Sequence, residues 1–402
     1  MGDAVRGIDE VRPRLGIETG SGRLAYRVDG PKGAPVLVLS NSLGTSLEMW
    51  EPQMAALTSY YRVVRYDQRG HGASPAPAGP YDLEALGRDV LALAEALDAE
   101  RFHFCGLSLG GMVGMWLGIH CPDRLDRLVV ACSAPYLGPP EPWLDRAATV
   151  RRDGTASIAP GLFERWFTEA FRREQGPVLE AFAAMVARAD DEGYASCCEA
   201  IAAFDARPEI RSIPVPTLVL AGAEDPVVAP EVAAALAGAI PGSSLTVLAG
   251  ASHLANVEQP EAFSGAVLSH LGGARIERGL VARSGVLGAA HVEASMARAA
   301  RSGLEAIESF QRLITEYAWG SVWARPAIDR PTRRLVTLAL LAGLGRLEEF
   351  ELHARAALAG DDGVDAELVG EVLLHTAVYA GVPAANAAFS VLERLARERQ
   401  ST

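Results

Sequence analysis

Cysteine is scarce in this chain, and none occurs beyond residue 198. The five present, Cys105, Cys121, Cys132, Cys197 and Cys198, form no C-x-x-C pair. That argues against structural disulfides and against thiolate zinc sites. No apolar run is long enough to span a bilayer; Leu335 to Leu344 is far short of the ~20 residues needed. The N-terminus carries acids and arginines where a signal peptide would have a hydrophobic core, which implies a cytoplasmic protein. Positive charge is in deficit: the net charge is −13, which argues against nucleic acid as a partner. Nearly all of this imbalance lies before Ala274, so the two parts of the chain differ in character. At 402 residues, 49% hydrophobic and 22% charged, the chain reads as a globular protein of two domains.

Residues 14–28 alternate apolar and polar around Gly20-Ser21-Gly22, a hairpin pattern. Pro35 to Leu39, Arg62 to Tyr66, Phe102 to Leu107, Leu125 to Cys132, Thr217 to Ala221 and Leu245 to Leu248 are strand-like runs. Helical spacing separates most of them. Strands alternating with helices predict a parallel sheet covered on both faces, an α/β fold. Residues 137–212 interrupt the alternation with short helices rich in Arg, Trp and Phe, which predicts an inserted helical cap. Near residues 271–275 the strand signals stop. From there 289–302, 303–318, 331–345, 347–359, 365–380 and 383–398 all carry helical spacing, with helix ends marked by Gly360 and Gly381. The expected domains are 1–272, α/β with its cap, and 273–402, all-α.

The stretch with the sharpest chemical content is Cys105-Gly-Leu-Ser108-Leu-Gly-Gly111. It joins a strand to a helix with a serine at the turn. Glycines at 106 and 110 remove side chains that would collide there, and Gly111 lets the helix pack close. Ser108 is thereby exposed as a nucleophile beside free N–H groups at a helix start.

A serine nucleophile needs a base, and the base needs an orienting acid. His253 follows the strand Leu245–Leu248, and Asp225 follows Thr217–Ala221. Both sit at strand C-termini, the edge where Ser108 emerges. Ser108, His253 and Asp225 are the expected nucleophile, base and acid, in the chain order Ser, Asp, His. Glu224 is a rival for the acid; Asp67 suits loop packing better. His71, His103 and His120 read as structural. The oxyanion donors are expected to be the N–H groups of Leu109 and Leu43, the latter in the loop Ser40-Asn-Ser-Leu-Gly-Thr45.

Three segments, Asn41-Ser-Leu-Gly-Thr-Ser46, Asp67-Gln-Arg-Gly-His-Gly72 and Gly106-Leu-Ser-Leu-Gly-Gly-Met112, together resemble the 3-oxoadipate enol-lactonases of the α/β-hydrolase fold. The resemblance covers about residues 14–271. It implies a lactone substrate and no cofactor. In the cap, Trp143, Arg146, Arg165, Trp166 and Arg172 are candidates to hold the substrate carboxylate.

The C-terminal part contains Glu351-Leu-His353, and then Glu371, His375 and Tyr379 at i, i+4 and i+8, on one helix face. Glu371 and His375 lack a third ligand, so no metal is expected. This stretch, with Arg278-Gly-Leu-Val-Ala-Arg283-Ser-Gly-Val-Leu-Gly-Ala-Ala-His291-Val, resembles 4-carboxymuconolactone decarboxylase, an all-α (AhpD-like) domain. The absence of cysteine excludes the thiol chemistry of peroxidase-type members of that broader family. The resemblance implies a lactone that loses CO₂ into its own conjugated carbonyl. The protein then needs only to stabilise a dienolate and protonate its α-carbon. His353 or His375 is the expected proton donor, tuned by Glu371 and Tyr379. Arg333 or Arg334 is expected to anchor a carboxylate, and His291 is a further candidate.

The two resemblances imply one chain with two consecutive steps of protocatechuate breakdown in the β-ketoadipate pathway: decarboxylation to the enol-lactone, then hydrolysis to 3-oxoadipate. The chain is also expected to form a homo-oligomer through its C-terminal helices. The alternative is a general esterase or perhydrolase whose helical module only associates.

Overall fold

The computed structural model of the chain describes residues 14–19, 22–325, 327–360 and 362–400. The turn expected at Gly20-Ser21 lies outside them. The chain divides into two compact units between Leu271 and Gly272.

The first unit is built on an eight-stranded sheet. Its strands are β1 Leu15–Thr19, β2 Gly22–Asp29, β3 Val36–Ser40, β4 Arg62–Tyr66, β5 Phe102–Leu107, β6 Leu125–Ala131, β7 Thr217–Gly222 and β8 Ser244–Leu248. Their order is β1-β2-β4-β3-β5-β6-β7-β8. The first two pairings are antiparallel, and all pairings from β4 to β8 are parallel. Thr19 pairs with Gly22, which closes the hairpin.

The continuous apolar runs are explained by burial on both faces. Val38, Val64, Phe104, Leu128 and Val219 point to one side. There they meet Leu86, Val90 and Leu93 of α2 (Leu83–Ala96) and Met112 and Val113 of α3 (Leu109–His120). Leu37, Leu39, Val63, Val129 and Leu220 point to the other, against Met54 and Leu57 of α1 (Glu51–Leu57). A slip of one residue in any central strand would exchange the two faces, so the register is firmly set. This fixes the heights at which the loops after β3, β5, β7 and β8 leave the sheet.

Between β6 and β7 the chain forms α4 (Glu141–Asp153), α5 (Ala159–Trp166), α6 (Glu169–Glu174), α7 (Gly176–Arg188) and α8 (Asp191–Ala203). These are the helices of the interrupted segment. Then come α9 (Pro230–Ala239), α10 (Ala255–Glu258) and α11 (Pro260–Leu287). α11 runs through residues 271–275, where the strand signals stop.

The second unit continues with α12 (Ala289–Arg301), α13 (Glu305–Ile314), α14 (Arg330–Gly343), α15 (Leu347–Ala359), α16 (Ala366–Ala380) and α17 (Val382–Gln400). Its core joins Leu338 and Ala342 of α14, Phe350 and Ala354 of α15, Val369 and Leu373 of α16, and Ala388 and Leu392 of α17. Asp329 and Asp365 cap α14 and α16 by accepting the amides of Thr332 and Leu368. Gly381, at φ +94°, ends α16. One helix departs from expectation. The segment 303–318 is α-helical only to Ile314, and Thr315–Trp323 is a π-helix. Two backbone crossings accompany the wider turn. A Cβ on Gly279 would stand 2.1 Å from the Thr315 carbonyl, and one on Gly320 2.1 Å from that of Arg275.

Candidate active site

Ser108 lies between β5 and α3 at φ 57°, ψ −114°, a strained conformation for a residue with a Cβ. The surroundings hold it there. Its amide donates to the Ala131 carbonyl at 2.9 Å, and its carbonyl accepts from Ser133 Oγ at 2.7 Å. The glycines have the packing reasons expected of them. A Cβ on Gly106 would meet the Gly110 carbonyl at 2.0 Å, one on Gly110 the Ser40 carbonyl at 2.2 Å, and one on Gly111 Ser133 Cβ at 2.5 Å.

His253 Nε2 accepts from Ser108 Oγ at 2.9 Å, and His253 Nδ1 donates to Asp225 Oδ2 at 2.9 Å. The other oxygen of Asp225 accepts the amides of Val227 and Val228 at 2.8 and 3.1 Å. All three side chains are buried. Asp225 is therefore fixed at both oxygens and can only orient the imidazole. Glu224, the rival, is exposed. Asp67 is elsewhere: it accepts the amides of Leu47 and Ala73, and burial pushes its carboxyl up to about 6. His103 and His120 pack against the rings of Tyr61 and Trp116.

The loop after β3 is held by its neighbours. The Gly44 amide donates to His71 Nε2 at 3.0 Å, and the Gly110 amide to the Asn41 carbonyl at 3.0 Å. The adjoining amides of Leu43 and Leu109 have no acceptor among the described residues. A carbonyl oxygen on Ser108 could use both. The segment 141–203 covers this loop. A Cβ on Gly44, at φ +82°, would meet Tyr194, Trp166 and Val186 within 4 Å.

Trp143 and Arg146 stack, with the guanidinium 4.7 Å from the ring centre. Arg165 and Trp166 act through their carbonyls, which accept from Ser252 Oγ and the Leu254 amide at 2.9 Å each. Arg172 is half-buried with no acceptor for its Nε among the described residues. Two residues escaped the sequence reading. Glu258 accepts the amide and hydroxyl of Thr168 and the amide of Ser252, joining α6 to the His253 loop. Tyr194 is buried over Gly44, with its hydroxyl turned toward the Arg146 side chain.

In the second unit the expected residues separate into two places. His353 of α15 lies with its ring near-parallel to Trp319 and Trp323 of the π-helix, at 6.2 and 6.0 Å between centres. Burial, with Arg334 nearby, pushes His353 down to about 4, so its ring is neutral near pH 7. Its Nδ1 has no partner among the described residues. Glu371, His375 and Tyr379 do share a face of α16, and the His375 and Tyr379 rings lie 4.9 Å apart. All three are exposed within this unit, Tyr379 by 80%. The structure does not bring them to His353. His291 is exposed on α12. Arg334 is committed to Asp362 at 2.7 Å and to the carbonyl of Val286 at 3.0 Å, and Arg333 to the carbonyl of Arg325. Arg334 is thus committed, while Arg333, half-buried, keeps an Nε with no acceptor among the described residues. Among the described residues no three His, Cys, Asp or Glu side chains cluster as a metal site. No described helix is long and apolar enough to cross a membrane.

Comparison with known proteins agrees with this geometry. Residues 36–267 match the alpha/beta hydrolase family, and residues 308–394 the carboxymuconolactone decarboxylase family. The chain is 45% identical over 244 residues to 3-oxoadipate enol-lactonase 2 of Acinetobacter baylyi, covering 61% of this chain and 91% of that protein. The crystal structure of the enol-lactonase from Burkholderia xenovorans is similar at 43% identity and a TM-score of 0.63, covering 64% of this chain and 99% of that one. A hydrolase of Pseudomonas aeruginosa is similar at 47% identity and the same TM-score, with coverage of 64% and 98%. The serine, histidine and aspartate at the sheet edge and the helical second unit thus have a common explanation: this chain belongs to the alpha/beta hydrolase family and carries a carboxymuconolactone decarboxylase domain fused behind it.

Proposed function

We propose that the chain converts 4-carboxymuconolactone to 3-oxoadipate in two steps, decarboxylation in the second unit and lactone hydrolysis in the first. The observation that carries this is the Ser108–His253–Asp225 relay, 2.9 Å at each link. It stands in a chain similar to enol-lactonases and fused to a decarboxylase domain.

In the first unit Ser108 Oγ attacks the lactone carbonyl while its proton passes to His253 Nε2. The amides of Leu43 and Leu109 stabilise the oxyanion. The ring C–O bond breaks, and the leaving enol oxygen takes the proton back from His253 Nε2 before the enol becomes a ketone. Water, deprotonated by His253, then releases the acyl group from Ser108. Arg146, backed by Trp143, is suited to hold the free carboxylate.

In the second unit the bond to the departing carboxylate breaks. Its electrons pass through the double bond to the carbonyl oxygen of the lactone, CO₂ leaves, and the α-carbon takes a proton. We assign that proton to His353. A dianionic substrate beside this imidazole reverses the local field and favours its protonated form. Glu371, His375 and Tyr379 stand on a separate, exposed face, beside Val378 at 76% exposure. That face supports a homo-oligomer formed through the C-terminal helices. All five cysteines are free thiols, four of them buried, which supports a reducing, cytoplasmic setting.

The test is to supply 4-carboxymuconolactone to pure protein without added cofactor and to follow CO₂ and 3-oxoadipate together. Release of neither product, alongside hydrolysis of simple aryl esters, would replace this proposal with that of a general esterase.

A further inference from the structure

Arg283 of α11 has only 4% of its surface exposed. Its guanidinium donates to Thr315 Oγ1 at 3.1 Å and Ser295 Oγ at 3.5 Å, and lies 4.0 Å from the sulfur of Met296. None of these groups carries charge. Three other buried arginines meet carboxylates: Arg65 meets Asp29 at 3.0 Å, Arg69 meets Asp89 at 2.5 Å and Arg334 meets Asp362 at 2.7 Å. Arg283 meets none among the described residues, and its Nε has no acceptor there. A guanidinium cannot shed its proton, so it remains a buried, uncompensated cation.

Its surroundings narrow what would compensate it. Thr315 opens the π-helix, a rare element that recurs at functional sites. Trp319 and Trp323 follow on the same element and flank His353. Arg334 reaches back to the carbonyl of Val286, less than one turn beyond Arg283 on α11. The π-helix thus links two groups: its first residue accepts from the Arg283 guanidinium, and two of its later residues flank the neutral imidazole of His353. This set suits an anion on a flat, unsaturated body.

We propose that Arg283 binds a substrate carboxylate in the second unit, the role expected of Arg333 or Arg334. The identity of the acid rests on the decarboxylase reading; the need for an anion does not. The chemistry further selects which carboxylate. CO₂ departs neutral, so a cation on the leaving group would stabilise the ground state more than the transition state. Arg283 therefore holds the carboxylate that the product retains.

The test uses the full chain with Arg283→Met, which removes the charge at similar volume, and Arg283→Lys, which keeps it. The probe is (5-oxotetrahydrofuran-2-yl)acetate, a saturated lactone with the retained carboxylate and no leaving one. It is titrated by tryptophan fluorescence in a Ser108→Ala background, so that it is not hydrolysed. The expected result is that Arg283→Met weakens binding about 10- to 100-fold, with Arg283→Lys between it and the parent. In the chain with Ser108 intact, KM for CO₂ release rises more than kcat falls, and hydrolysis of the enol-lactone is unchanged. Removal of an unpaired buried charge also leaves the melting temperature unchanged or raised. A lowered melting temperature with parental affinity in the folded variant would make Arg283 structural and overturn the proposal. So would equal losses in the Met and Lys variants. If the parent releases no CO₂ yet the Arg283-dependent titration persists, the decarboxylase reading falls and the anion site stands. Parental KM for CO₂ release in Arg283→Met has the opposite meaning.

Discussion

His71 Nε2 accepts the Gly44 amide at 3.0 Å while its Nδ1 donates to the Arg69 carbonyl at 2.9 Å. Both ring nitrogens are thereby satisfied in one neutral tautomer. Burial pushes the imidazole below its ordinary range, so it stays neutral at working pH. A ring in a glycine turn after β4 thus sets the height of the loop after β3, the loop proposed to supply the Leu43 amide. His71→Ala is expected to lower kcat on the enol-lactone about 100-fold, because the Leu43 amide loses its aim. KM should change less. His71→Gln, with an amide oxygen able to accept from Gly44, should recover part of kcat. Steady-state kinetics on the three proteins checks this.

Asp225 and Glu224 are adjacent and chemically alike, but only Asp225 reaches His253. Asp225→Asn is expected to cost about 10⁴-fold in kcat, since the amide stabilises the wrong imidazole tautomer. Glu224→Gln should be indistinguishable from the parent. Equal effects of the two substitutions would remove Asp225 from the relay.

Glu258 holds three donors across two segments: the amide and hydroxyl of Thr168 at 2.9 and 2.8 Å, and the Ser252 amide at 2.6 Å. Glu258→Ala leaves them buried or half-buried without an acceptor, at a cost of about 1–3 kcal/mol. Because Ser252 precedes His253, the same change should lower kcat/KM for the lactone. Thermal unfolding and hydrolysis rates on one preparation test both halves.

Val378 is exposed by 76% beside Tyr379 on α16, a poor arrangement for a lone surface. Val378→Glu is expected to reduce the mass in solution, measured by light scattering, and to leave enol-lactone hydrolysis intact. An unchanged mass would show that this face does not carry the assembly.

Much of the first unit is legible in the sequence because its signals are local. Ser108 is flanked by glycines whose absent side chains have specific collisions to avoid. Asp225 follows an apolar run that forms the fully buried strand β7, and His253 follows a shorter apolar run that forms the largely exposed strand β8. Glu258 and Tyr194 leave no such trace: their roles come from partners far away in the chain. In the second unit, spacing correctly puts Glu371, His375 and Tyr379 on one face. Periodicity says which residues share a face but not what covers it, and here that face is exposed. The π-helix is invisible for a related reason, since nine residues, Thr315–Trp323, are too few to set a wider period of their own against the α-helical spacing before them. Arg283 differs from Arg333 and Arg334 only in burial and partners, which tertiary packing decides.

His353 carries a measurable pH effect. Its ring lies against Trp319 and Trp323, and burial lowers its pKa from 6.5 to about 4. The unfolded chain therefore binds a proton at a pH where the native chain does not. By linkage, this group's contribution to stability is full above about pH 6.5 and falls as pH drops toward 4. The loss across that window is on the order of 3 kcal/mol. His353→Phe, which cannot protonate, should flatten the fall in melting temperature of the second unit between pH 6.5 and 4.5. The same substitution should lower CO₂ release about 100-fold or more if His353 delivers the proton, and leave hydrolysis in the first unit unaffected. A flattened profile with undiminished CO₂ release would keep the burial argument and reassign the proton, with His375 next to be tested. An unflattened profile would mean that the indole-packed ring is solvated, and the assignment of a neutral imidazole would fail with it.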